Sequence, residues 1–160
     1  RVVEIDETRI GGKDVKGFDD KTVVLGMLER GGEIITRVVP NIRRKTLLPH
    51  IIENVKVGTA VATDELHSYR ILPFKGYRHG TVNHKRKQYA SGPVHVNTIE
   101  GFWSILQRSI RGTHIHVSRK HLPKYLGEFE FRHNLRKSPH LMFDLLVQAF
   151  PQPSSRRAAR

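Results

Sequence analysis

The chain has 160 residues, with 28 Lys+Arg against 15 Asp+Glu and a formal net charge of +13. A domain of that length buries roughly two-thirds of its unfolded surface in one core and needs no covalent staple. It contains no cysteine, which excludes a disulfide framework, a thiol nucleophile, an iron–sulfur cluster and every thiolate zinc site within it, and no apolar run approaches the roughly 18 residues of a membrane span.

Val2, Val3 and Ile5 open an extended segment almost at the first residue, so the sequence reads as an excerpt of something longer. Along that strand Glu4 and Asp6 share a face, because side chains alternate. Lys21 to Leu28 and Glu33 to Val39 are β-branched apolar runs separated by Glu29-Arg30-Gly31-Gly32, a hairpin signal. Three consecutive antiparallel strands are therefore predicted.

Thr46 is placed to cap a helix whose apolar positions Leu47, Leu48, Ile51, Ile52 and Val55 recur at helical spacing, with Pro49 in its first turn and Gly58 ending it. Thr59 to Thr63 is a short, nearly continuous apolar run, the form of a strand buried on both faces, and it delivers Asp64 at its carboxyl end. A short strand is predicted over Thr81 to Asn83. From Thr98 the period becomes helical: Ile99, Phe102, Trp103, Leu106 and Ile110 make one stripe that should pack on the sheet, Trp103 included.

Two further helices follow, one through Leu122, Tyr125, Leu126 and Phe129, the other opened by Ser138-Pro139 and continued by Leu141, Met142, Leu145, Leu146 and Ala149. Residues 151–160 read as a disordered basic tail after a domain spanning 1–150. Strands first, then alternating helix and strand, predict a mixed α/β sheet flanked by helices, with a helical C-terminal region.

Charge is unevenly distributed. Residues 1–64 carry net +1 and residues 65–160 net +12, the footprint of a surface that neutralises nucleic-acid phosphates. Lys85, Arg86 and Lys87 form the densest run before the tail. Between Leu66 and Gly127 the only acidic residue is Glu100. Asn97-Thr98-Ile99-Glu100 has the offset of a capping box, with Asn97 as cap and Glu100 reaching back. On helical geometry Glu100 also shares its face with Ser104, Gln107, Arg108 and Arg111.

Asp6, Asp64 and Glu100 are thus offered by three elements that could meet at one sheet edge, with 35 residues between the last two. Glu7 is an alternative to Asp6 at the first position. Clustered carboxylates repel unless a divalent cation neutralises them, and hard oxygen ligands suit Mg²⁺ or Mn²⁺. Two such ions about 4 Å apart can activate a water or a 3′-hydroxyl and stabilise the departing oxygen of a phosphodiester. Dinucleotide, phosphate-loop, Gly-x-Ser-x-Gly and His-Glu-x-x-His signatures are all absent. The ten histidines, lacking acidic or thiolate neighbours, read as phosphate-facing rather than as ligands of a transition metal.

The strings VEIDETRIGGK (3–13), TDELHSYR (63–70), HGTVNHK (79–85) and HVNTIEGFWSILQRSIRGTHIHVSRKHLPKYLGEFEFRHN (95–134) resemble the DDE catalytic domain of bacterial insertion-sequence transposases, in the group related to eukaryotic Merlin elements. That resemblance implies an RNase H-like fold, two-metal strand cleavage and strand transfer in DNA transposition, and Asp6, Asp64 and Glu100 as the acidic triad. It implies transposon ends and target DNA as partners, a homodimer to pair two ends, and a cytoplasmic, nucleoid-associated location in a bacterium. The family commonly carries Lys seven residues after the Glu; here the position is Gln107, which keeps a hydrogen-bonding head and loses the charge, so that Arg108 or Arg111 would stand in. Asn97 is expected to orient Glu100 beside the DNA. The alternatives are a DNA-binding remnant without catalysis and a metal-dependent nuclease that cleaves without joining.

Overall fold

The computed structural model describes residues 1–11, 21–82, 94–114 and 117–149. Strand β1 (Val2–Ile10) pairs antiparallel with β2 (Thr22–Glu29), and β2 antiparallel with β3 (Ile34–Val39). Helix α1 (Arg44–Asn54) leads into β4 (Ala60–Thr63), which lies parallel to β1, and β5 (Arg78–Thr81) lies parallel to β4. The sheet order is β3-β2-β1-β4-β5, a mixed α/β sheet in which three antiparallel strands are extended by parallel ones, as predicted. Helices α2 (Asn97–Ser109), α3 (Leu122–Asn134) and α4 (His140–Ala149) complete the described chain.

The strand alternation divides the core in two. Ile10, Val24, Leu28 and Ala62 point to one face, where Ile99, Phe102, Trp103, Leu106 and Ile110 of the α2 stripe and Leu122, Leu126 and Phe129 of α3 cover them. Ile5, Val23, Leu25, Met27 and Val61 point to the other, under Leu47 and Ile51 of α1 and the buried Tyr69 and Leu72. β2 is apolar on both faces because helices lie on both. Gly26 is the gap in its pattern, and the reason is contact: a Cβ there would come within 2.5 Å of the Trp103 ring and 2.9 Å of Ile99 Cδ1.

Three local expectations change. Thr46 lies inside α1 rather than capping it: Arg43 is the cap residue, and Asn41 Oδ1 accepts from both Arg43 N at 3.0 Å and Thr46 Oγ1 at 2.8 Å. Pro49 accordingly sits one turn deeper, and Ile52 faces out at 48% exposure. The last strand begins at Arg78 rather than Thr81, because its register is dictated by pairing with Ala60–Thr63; Asn83 lies outside the described residues, as do 151–160. None of the apolar side chains of α4 is buried.

Edge strand β3 would present unpaired backbone groups to any passing strand, but α3 supplies partners from its side chains. Asn134 Oδ1 accepts from Ile34 N at 2.8 Å, Asn134 Nδ2 donates to Ile34 O at 3.1 Å, and Glu130 Oε1 accepts from Thr36 N and Thr36 Oγ1. Asn134→Ala should therefore lower stability by about 1–3 kcal/mol through the part-buried groups left unpaired. It should also raise association through the freed edge, read as a lower urea midpoint and increased light scattering.

Candidate functional site

The parallel register of β1 and β4 places Ile5 beside Thr63, so Asp64, just past the end of β4, comes beside Asp6; the first strand does not end at Asp6 but runs on to Ile10, paired with β2 throughout. Alternation turns Asp6 toward α2, where Trp103 Nε1 donates to Asp6 Oδ2 at 3.1 Å. Burial pushes the Asp6 carboxyl up to about 7, and the neighbouring charges of Glu7 and Asp64 add to the rise. Two carboxylates sharing one partly desolvated corner are the feature that needs an explanation beyond packing.

Glu7 points the other way, toward the α1 face. It is pushed up by burial and by Asp64, while Tyr69 OH, donating to Glu7 Oε2 at 2.6 Å, works against the rise. Tyr69 is itself driven well above its ordinary range by burial and by Glu7. Asp64 Oδ1 accepts from Leu66 N at 2.9 Å, which fixes the carboxylate on the turn leaving β4. Thr63 Oγ1 donates to the Asp64 carbonyl at 2.7 Å and so receives the proton of His79 Nε2, 2.8 Å away. His79 is held below its ordinary value by burial. A hollow of about 250 Å³ opens here, lined by Asp64, Glu65, Leu66, Arg70, His79 and Thr81.

Glu100 stands half-buried in the first turn of α2. Among the described residues no group of three or more His, Asp or Glu side chains is arranged to hold a metal ion. The parallel register brings Asp6 and Asp64 near each other, and the charge of Asp64 reaches Asp6. The capping box is not formed: Asn97 is exposed, the cap residue is Val96 without a side-chain bond, and Glu4 on β1 takes the task. Glu4 Oε2 accepts from Thr98 N and Ile99 N, both at 3.0 Å.

The outer face of α2 and the wider helical turn that continues it, Ile110–His114, carry Ser104, Gln107, Arg108 and Arg111 around a hollow of about 490 Å³. Gln107 Nε2 donates to Thr8 Oγ1 at 2.7 Å, and Arg111 Nη2 donates to Gln107 Oε1 at 2.9 Å. The uncharged side chain thus links an arginine to β1, two residues beyond Asp6. Lys85, Arg86 and Lys87 lie outside the described residues. Sequence reasoning gave no role to Glu4 or Tyr69, Glu4 leaving a trace only in its alternation with Asp6; it read His79, with the other histidines, as phosphate-facing, whereas His79 is half-buried against Thr63.

The Asp6 carboxyl keeps its proton to about pH 7 in the folded chain, against an ordinary value of 3.8. Between those values the native state binds more protons than the unfolded one, so the stability it contributes is present below pH 3.8 and lost as pH rises toward 7. Lowered His79 and His133 act in the opposite sense below 6.5. The difference between wild type and Asp6→Asn isolates the carboxyl: wild type should lose urea stability relative to the variant as pH rises through that window, and the gap should be constant above it.

Fold and site together define an α/β domain with an aspartate pair where β4 ends beside the middle of β1, next to a helix whose outer face is basic. Residues 2–134 match the ISXO2-like transposase domain, and the chain belongs to that family. A curated relative in Haemophilus influenzae, described as "Uncharacterized transposase-like protein", is 34% identical over 102 residues, which cover 64% of this chain and 81% of that protein. No solved structure matches the chain. No described helix is long and apolar enough to cross a membrane.

Proposed function

We propose that this chain is the catalytic domain of an insertion-sequence transposase, cutting and joining DNA strands with divalent metal ions on an RNase H-like scaffold. The observation that carries the reading is the aspartate pair: Asp6 is raised to about 7 by burial and by the carboxylates beside it. Such a pair binds a hard cation in preference to staying half-protonated. Asp6, Asp64 and Glu100 are the residues that hold Mg²⁺ or Mn²⁺, two ions being expected. When bound, the ions supply an activated hydroxyl and a counter-charge for the departing oxygen.

The remaining work falls to the chain. Trp103 and the Leu66 amide hold the two aspartates in fixed rotamers. Arg108 and Arg111, with Lys85, Arg86 and Lys87, neutralise phosphates of the transposon end or target, and Asn97, exposed at the start of α2, contacts DNA beside Glu100. Gln107 acts through Arg111 rather than as a cation. Two copies pair the two ends of an element.

One observation favours a second reading, a DNA-binding remnant without chemistry: the uncharged Gln107 stands where the family commonly carries a lysine, and it is engaged by Arg111. Supercoiled plasmid separates the two. The transposase reading predicts nicks with Mn²⁺ and none with EDTA; the remnant reading predicts salt-sensitive duplex binding and no product in either. Joining of pre-cut element ends to a target distinguishes transfer from a nuclease.

A further inference from the structure

Glu4 is fully buried, with 0% of its surface exposed, and stands two residues from Asp6 on the same face of β1. Its carboxylate serves the first turn of α2 rather than its own strand. Oε2 receives Thr98 N and Ile99 N, and Oε1 receives Thr98 Oγ1, each at 3.0 Å. Arg30, on the turn after β2, donates from Nε to Oε1 at 2.6 Å and from Nη2 to His95 O at 2.7 Å. His95 Nδ1 lies 3.2 Å from Oε1 without the alignment of a hydrogen bond.

A helix start needs acceptors for its free N–H groups and favours a negative charge, and a local side chain usually provides both. Here the cap position holds Val96, whose side chain has no acceptor, and Asn97 lies one residue inside the helix. The cap comes instead from another element, at the cost of burying an ion pair whose replacement by apolar groups is often harmless to stability. What the arrangement does fix is distance. Two residues beyond Glu4 along the strand is Asp6; two beyond Thr98 along the helix is Glu100.

We propose that Glu4, locked by Arg30, is a positioning residue that sets the offset of Glu100 from Asp6 and so governs ion affinity. This rests on the reading of Asp6, Asp64 and Glu100 as ion-holding residues. Outer groups that orient ligands typically cost 10- to 100-fold in metal affinity when removed, and Glu4 acts at the same remove.

The test uses the whole chain in four forms: wild type, Glu4→Gln, Glu4→Gln with Arg30→Gln, and Asp64→Asn. Mn²⁺ affinity is followed by electron paramagnetic resonance, and amide exchange at Thr98 and Ile99 by NMR. In Glu4→Gln the amide group must turn its NH2 either toward Arg30 or toward the two helix amides, and either arrangement loosens the clamp, so exchange at both amides should accelerate and Mn²⁺ affinity should fall about 10- to 100-fold. With Arg30→Gln the new amide regains an acceptor, and both readouts should return to within about threefold of wild type, a rescue that a merely structural role would not give to ion affinity.

If Glu4→Gln does not fold, Arg30→Lys keeps the cation and loses the bridge to His95 O, and should weaken Mn²⁺ by about tenfold. Unchanged Mn²⁺ affinity in the variant used, while Asp64→Asn abolishes binding, overturns the role of Glu4 and leaves the ion site standing. Unchanged binding in Asp64→Asn overturns the ion site, and the positioning role with it.

Discussion

Asp64→Asn and Asp6→Asn are each expected to lower Mn²⁺-dependent nicking of DNA by about a thousandfold or more, since a metal clamp supplies several kcal/mol of transition-state stabilisation. Asparagine keeps the shape of the side chain and can still accept the Leu66 N–H or the Trp103 N–H, so the fold should survive. Duplex affinity should hold or rise, because a negative charge leaves a basic surface. Glu100→Gln should cost a comparable factor if Glu100 holds an ion, and little if it belongs only to the helix start. Rates on supercoiled plasmid, with binding measured in parallel, separate lost chemistry from lost DNA.

Trp103→Ala should be the most damaging substitution for stability. The indole is 5% exposed, fills the notch left by Gly26, and meets Phe102 edge-on at 5.3 Å. Removing such a ring costs about 3–5 kcal/mol, which in a chain of this size lowers Tm by roughly 10 °C or more. Gly26→Ala approaches the same contact from the other side and should cost about 1–3 kcal/mol through overpacking. Trp103→Phe keeps most of the packing and loses the donor to Asp6. That hydrogen bond lowers the Asp6 value, so its loss should raise the carboxyl further, visible as an upward-shifted NMR titration. Calorimetry and urea melts distinguish the three.

Periodic segments were legible because packing enforces the period. The α2 stripe from Ile99 to Ile110 and the apolar strand ending at Asp64 needed no information beyond spacing. Where a distant group competed with a local one, spacing failed. Asn97-x-x-Glu100 offers a complete capping box, yet a carboxylate 94 residues away takes the helix amides. β5 starts where β4 provides partners, not where its own residues favour a strand. Leu141, Leu145 and Leu146 follow helical spacing but are 41–51% exposed, since periodicity marks an apolar face without naming what covers it.

The site divides in the same way. Asp64 could be read as a strand-end acid, whereas Asp6 lies mid-strand, since pairing with β2 carries β1 on to Ile10; the parallel register brings the two near each other. Tyr69 and Glu7 are 62 residues apart and meet only through the fold. Gln107 could be read as a missing charge, but not as the link between Thr8 and Arg111.

If the carboxylates at positions 6, 64 and 100 gather divalent ions as proposed, a crystal of the chain soaked in Mn²⁺ and examined by anomalous scattering should show manganese peaks against Asp6 and Asp64, with Glu100 drawn into the same shell. An ordered site without manganese, or manganese bound only elsewhere on the chain, would contradict the proposal.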